Sequence, residues 1–334
     1  MTTVIAATRR RGPFVALLAA VGLALGACAT GPSQVNAAAV VGDRTISVDR
    51  VQDLVQQAVK AEPAARVLAD QRKLDLLSRE ALRQLVQHEL IERYAAKANL
   101  TVDPAKVAEV AGQIGDSFQE LPVDGGVSPQ VISRQAVTKV LDRNQVARDF
   151  LLLGEIGDRE LTKLSVTFDF VLVTAVSQDQ SQGAVREAAV AKANKLAEGL
   201  KQADAFIDAE IAAGEQAAKA ETLTPAAASD IAGTVLFGAP ENSVVAFRPN
   251  PENANWVVAL IRKRDTNAKP DEKAKADPQT AQSLGPRLLQ PLLAEVGVKI
   301  SPRYGVWDET GMDIAPSAAE ASGVVIPVKN APAQ

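Results

Sequence analysis

The spacing of apolar residues changes once along this chain, near Ser165, and the change limits the folds open to it. Before that point apolar side chains recur at steps of three and four. Val48, Val51, Leu54, Val55, Ala58 and Val59 form one such series, and Leu74, Leu77, Ala81 and Leu85 another. This is the period of a helix that buries one face. After it, Val166, Phe168, Phe170, Leu172 and Thr174 alternate with Thr167, Asp169, Val171 and Val173, the two-residue period of a strand. Helices first and strands mixed with helices later predict an α+β protein: a helical lobe with a small N-terminal hairpin, then a small α+β domain.

Punctuation residues divide these patterns. Two short β-type segments flank Gly42-Asp43, a pair suited to a tight turn. Ser47 is an N-cap candidate for the helix that follows, and Pro63 interrupts it. A long helix is expected from about 65 to 98, closed by Asn99. Asp103-Pro104 combines a cap with a first-turn proline and starts a helix to Phe118. Ser128-Pro129 starts another that reaches Leu153. Beyond the strand at 165, helices are expected at 184–201 and 203–213, a loop at 214–229, a short helix near 230–237, and strands at 243–248 and 256–262. A charged, Pro-bounded linker covers 266–278. The helix at 279–296 carries Pro286 and Pro291 and should kink or break. Residues 309–334 are Ala- and Pro-rich and read as a disordered tail.

Among 334 residues, 40 acidic and 36 basic side chains leave a net charge of −4. No basic block lies outside Arg9-Arg10-Arg11, which argues against a nucleic-acid partner. One Cys excludes a disulfide framework and Cys-based zinc clusters, and one His excludes multi-His metal sites. His88 falls three residues past Leu85 on the apolar stripe, so it reads as a packed histidine rather than a ligand. Glu89 and Arg93 have the spacing of an ion pair along a helix. No G-x-S-x-G, phosphate-cradling Gly loop or paired metal ligands occur. Neither a cofactor nor a metal is expected.

The N-terminus carries the most specific signal. Arg9-Arg10-Arg11 precede an apolar run of 14 residues, Phe14 to Ala27. As a helix it would cover about 21 Å, short of a hydrocarbon core of roughly 30 Å. It therefore reads as a signal-peptide core, with residues 1–27 removed. Leu25-Gly26-Ala27-Cys28 resembles the bacterial lipobox, in which the Cys becomes the first mature residue and carries lipid. The alternative is an incidental cysteine. Residues 28–36 form a tether. The expected location is the outer, extracytoplasmic face of the cell membrane, held by a lipid on Cys28.

Val40-Val41-Gly42-Asp43-Arg44-Thr45-Ile46 before a capped helix resembles the opening of SurA- and PrsA-type extracytoplasmic chaperones. Leu85-Val86-Gln87-His88-Glu89-Leu90-Ile91 and Ala95 to Asp103 are similar to the family's next stretch. Arg303-Tyr304-Gly305-Val306-Trp307-Asp308 looks like the ending of actinobacterial lipoprotein members. Phe170 to Val173, Leu236 to Val244 and Trp256 to Ile261 resemble pieces of a parvulin prolyl isomerase. The resemblance implies a helical chaperone-like lobe at 37–162, completed by 279–308, with a parvulin-like domain at 163–265. It also implies that the two parvulin histidine positions are Phe170 and Val257. Those side chains offer no donor, acceptor or titratable group, so the domain is expected to be degenerate.

The expected protein is a lipid-anchored chaperone that binds unfolded or nascent exported polypeptides without isomerase activity. A divergent prolyl isomerase and an envelope scaffold with one fixed partner are the alternatives. The anchor has a direct test. Stable anchoring needs more than one acyl chain, so Cys28→Ala should block processing or move the protein from the membrane to the soluble fraction. Unchanged processing and membrane partition would refute Cys28 lipidation.

Overall fold

A computed structural model describes residues 36–175, 181–250, 254–269 and 277–332. The signal segment, nearly all of the tether, Cys28 and most of the expected linker lie outside the described residues. No described helix is long and apolar enough to cross a membrane.

Strands β1 (Ala37–Val41) and β2 (Arg44–Ser47) pair antiparallel around Gly42-Asp43. Gly42 has φ +61°, the left-handed conformation that glycine takes without cost. Ser47 accepts a hydrogen bond from the Arg50 amide at 3.1 Å and caps α1 (Val48–Ala61). The helix expected at 65–98 is two, α2 (Pro63–Asp70) and α3 (Leu74–Lys97), separated where Arg72 adopts φ +61°. The buried face of α3 holds Leu77, Ala81, Leu82, Val86, Leu90, Ile91 and Ala95. Leu74 is 41% exposed and Leu85 only half-buried, so the true stripe is rotated from the expected one. Arg93 does not pair along the helix with Glu89. It reaches the hairpin, donating to the Val41 carbonyl at 3.1 Å and to Asp43, and this holds the Asp43 carboxyl below its usual range.

Helix α4 (Pro104–Ser117) starts at the Asp103 cap, whose side chain accepts from the Ala105 amide. The helix expected from Pro129 to Leu153 is also two, α5 (Pro129–Val140) and α6 (Arg143–Leu161). Asp142 accepts from the Gln145 amide and starts the second.

A five-stranded antiparallel sheet follows, in the order β10-β5-β6-β3-β4. Its strands are β3 (Ser165–Val173), β4 (Ala217–Leu223), β5 (Ser243–Phe247), β6 (Trp256–Asp265) and β10 (Gly323–Pro327). Helices α7 (Gln182–Leu196) and α8 (Leu200–Ala212) connect β3 to β4. Strand alternation divides the core. Val166, Phe168, Val245, Phe247, Ala259 and Ile261 join the large core shared with the helical lobe. Val171, Val173, Val244, Ala246, Val258 and Leu260 pack with α7 and α8 on the other face. The sheet is thus a layer between two helical layers.

Two expectations fail here. Residues 217–223 form β4 rather than loop. The run Ala-Ala-Lys-Ala-Glu-Thr-Leu has little intrinsic strand preference, and its pairing with β3 carries a register shift opposite Asp169. The C-terminal region is not a disordered tail. Strands β8 (Val306–Asp308) and β9 (Asp313–Ala315) form a hairpin, and β10 pairs with β5. The 163–265 boundary therefore omits one strand of the sheet. Composition hid the short apolar run Val324, Val325, Ile326 among Ala and Pro. Partly buried Arg287 secures the region, donating to the Gly233 carbonyl at 2.5 Å and to the Thr310 carbonyl at 2.6 Å. Burial lowers its pKa to about 10.

The expected break at the two prolines occurs at Leu289, between α9 (Pro278–Leu288) and α10 (Gln290–Val296). Strand β7 (Val298–Ile300) then pairs with β1, returning the chain to its start. Helix α9 lies against α6 at two glycines. A Cβ on Gly157 would sit 1.9 Å from the Ala281 carbonyl oxygen, and one on Gly285 would sit 2.2 Å from that of Leu153. Gly157→Ala should therefore lower stability by about 3 kcal/mol, an overpacking cost that exceeds the gain of about 1 kcal/mol from helix propensity. The comparison is Gly112→Ala on α4, where nothing lies within 4 Å and denaturant unfolding should show a small gain.

Candidate client groove and the sheet floor

The resemblance to parvulins directs attention first to the sheet. Phe170 lies opposite Ala259, and Val257 opposite Leu172, in the antiparallel register of β3 with β6. The two are diagonal neighbours on one face, the face shared with the large core. Both are partly buried, and the Phe168 ring stands 6.0 Å from that of Phe170. Both side chains pack as apolar strand residues against the large core.

Asp169 points to the opposite face. It is buried, accepts the Ala220 amide at 2.9 Å, and accepts Arg262 Nε at 2.8 Å. Arg262 also reaches Asp204 on α8. These charge-assisted hydrogen bonds hold the Arg262 pKa above its ordinary value against the opposing effect of burial. Asp169 thus ties the register shift of β3 and β4 to β6 and α8. Glu241 accepts the Arg264 amide at 2.7 Å and closes the turn before β5. Both carboxylates are placed by the fold.

An apolar surface with room for a ligand lies in the helical lobe. Between the N-terminal end of α4, the middle of α6 and the start of α9 lies an open cavity of about 750 Å³. Val102, Phe150, Leu151 and Ala281 supply apolar wall, and Asp103, Lys106, Glu155 and Asp158 stand among its polar groups. Phe150 is 49% exposed. It faces away from the buried stripe of α6, which holds Ala147, Leu152, Leu153, Ile156 and Leu161. Capping builds two of the walls. Asp103 starts α4, and Asp277 starts α9 by accepting the Thr280 amide and hydroxyl at 2.9 and 2.6 Å. Those bonds hold the Asp277 carboxyl below its usual range. Gln282 donates to the Phe150 carbonyl at 3.3 Å and links α9 to α6.

A second cavity of about 190 Å³ shares Phe150 and Gln282 with the first. Its wall includes His88, from α3, and Asp149, from α6. His88 Nδ1 lies 3.0 and 2.9 Å from the two Asp149 oxygens. The expected packed histidine therefore stands beside a carboxylate 61 positions along the chain. Phe150 was missed in the sequence. Its signal was an aromatic residue lying off the apolar stripe of its own helix.

Comparison with known families finds a likeness for the N-terminal part of this architecture. Residues 12–150 match the family described as the SurA-like N-terminal domain. The match is to that domain alone, and among the described residues it covers the N-terminal hairpin, α1 to α5 and the first half of α6. A comparison with curated proteins finds no match.

The buried ion pair under the sheet is open to test. Asp169→Asn keeps an acceptor for the Ala220 amide but removes the charge facing Arg262. Leaving a buried charge short of its partner should cost about 3 kcal/mol, read as a lowered denaturant midpoint with an unchanged slope.

Proposed function

We propose that this protein is a lipid-anchored, extracytoplasmic chaperone that holds unfolded exported polypeptides passively in the α4–α6–α9 groove. The observation that carries the reading is half-exposed Phe150 at the wall of a 750 Å³ cavity, in a lobe of the SurA-like class. An aromatic ring held clear of the core, with charged groups nearby, suits extended segments carrying scattered apolar side chains. Binding through apolar area needs no exact sequence, and with few hydrogen bonds it stays weak enough to release.

The anchor on Cys28 would place this groove beside the membrane, where exported chains emerge. The absence of isomerase activity belongs to the same proposal. A prolyl isomerase lowers the rotation barrier of about 18–20 kcal/mol at a twisted imide, and Phe170 and Val257 present only hydrocarbon to a bound peptide.

Phe150→Asp puts a charge on the groove wall at a half-exposed site, so the thermal midpoint should stay within a few degrees of wild type. Suppression of aggregation of a chemically unfolded client should fall several-fold. Undiminished suppression by the folded variant would refute the groove. In a parallel assay, the whole mature chain should leave X–Pro isomerisation at its uncatalysed rate, a time of tens to hundreds of seconds. Clear acceleration, abolished by one substitution in the sheet, would favour the divergent isomerase.

A further inference from the structure

We propose that His88, Glu92 and Asp149 form a binding site for a divalent transition-metal ion, with zinc as the best-fitting chemistry. His88 and Glu92 stand four residues apart on α3, so their side chains share one face. Asp149 comes from α6. One ligand atom from each side chain lies within 4.8 Å of the other two. Zinc holds nitrogen and oxygen ligands at about 2.0–2.2 Å, which at tetrahedral angles sets ligand atoms about 3.3–3.6 Å apart. Two of the atoms, Nδ1 and the Asp149 oxygen, stand at 2.9 Å, a hydrogen-bond distance that opens by about 0.4–0.7 Å to admit the ion. The third position closes by rotation of Glu92, whose side chain is 35% exposed and now pairs with Arg148.

The donor set selects the ion. One imidazole and two carboxylates suit zinc and its first-row neighbours, whereas magnesium and calcium prefer oxygen alone. The groups now facing these donors are Arg148 on Glu92 and the His88 ring on Asp149. Arg148 is 39% exposed, so its guanidinium can turn into solvent when a dication takes its place. At Nδ1 the metal would replace the proton shared with Asp149. The adjoining 190 Å³ cavity gives access for the ion and for a water ligand. Its wall adds the side chains of Gln84, Gln87 and Gln145, together with Arg83 and Arg134.

Such an ion would fasten α3 to α6 next to Phe150. The inference does not rest on the chaperone reading, because its test reads metal binding alone. The purified mature chain, freed of metal with a chelator, is titrated with zinc chloride by calorimetry and followed by thermal unfolding. One zinc per chain is expected, with micromolar affinity, a raised unfolding temperature and no response to magnesium. His88→Gln and Asp149→Asn should each weaken binding at least tenfold. Arg148→Ala should strengthen it, because the competing cation is gone, and an effect of that sign does not follow from a merely structural role. The proposal is overturned by no binding at 1 mM zinc, or by binding that is unchanged in folded His88→Gln.

Discussion

The contact between α6 and α9 is the constraint on which the rest of the structure depends. Gly157 and Gly285 bring the two backbones so close that no side chain fits between them. Residues more than 120 positions apart in the chain are thereby locked together. Helix α9 then leads to β7, which pairs with β1, and its Arg287 ties the loop before the Val235–Phe237 turn to Thr310 in the turn of the C-terminal hairpin. The helical lobe is therefore not finished by residues 37–162. It needs the returning chain, and the large core runs from Ala38 to Ile314.

The sheet uses its two faces differently. One face continues the core of the helical lobe, and the other makes a second core with α7 and α8. Strand alternation alone produces this, since each strand sends odd and even positions to opposite sides. The same geometry separates Asp169 from Phe170. Adjacent in sequence, they serve opposite faces: the carboxylate holds Arg262 beneath α8, while the ring joins the apolar floor with Val257. A carboxylate next to a position where the family resemblance expects a histidine could be taken for a catalytic substitute. Its direction sets it apart from the floor, because it points to the opposite face, where Arg262 and the Ala220 amide hold it.

The groove and the His88 cluster are products of the same helix pairing. Phe150 is exposed because α6 spends its apolar stripe on α3 and α9, and leaves the aromatic ring on the side where α4 begins. His88 gains Asp149 because α6 crosses α3 at that level. His88, Asp149 and Phe150 lie in the region that matches the SurA-like domain, while α9 completes the groove from outside it. A client site and a metal-responsive clamp would therefore share one structural element.

Much of this was legible in the residues themselves. The change of period near Ser165, the caps at Ser47, Asp103 and Ser128, the hairpin at Gly42 and the breaks at proline are local effects. They act within a few residues, so a single sequence records them. The chemistry of Phe170 and Val257 was equally plain, since no fold gives hydrocarbon a proton to share. What only the tertiary structure decided is long-range. Strand β4 exists because β3 offers it a ladder, although its own residues have little strand preference. Strand β10 exists because β5 has an open edge. His88 seemed alone because its carboxylate partner lies 61 residues away. Periodicity ranks positions along one helix, but it cannot say which other helix will face them, and packing between distant segments made that choice here.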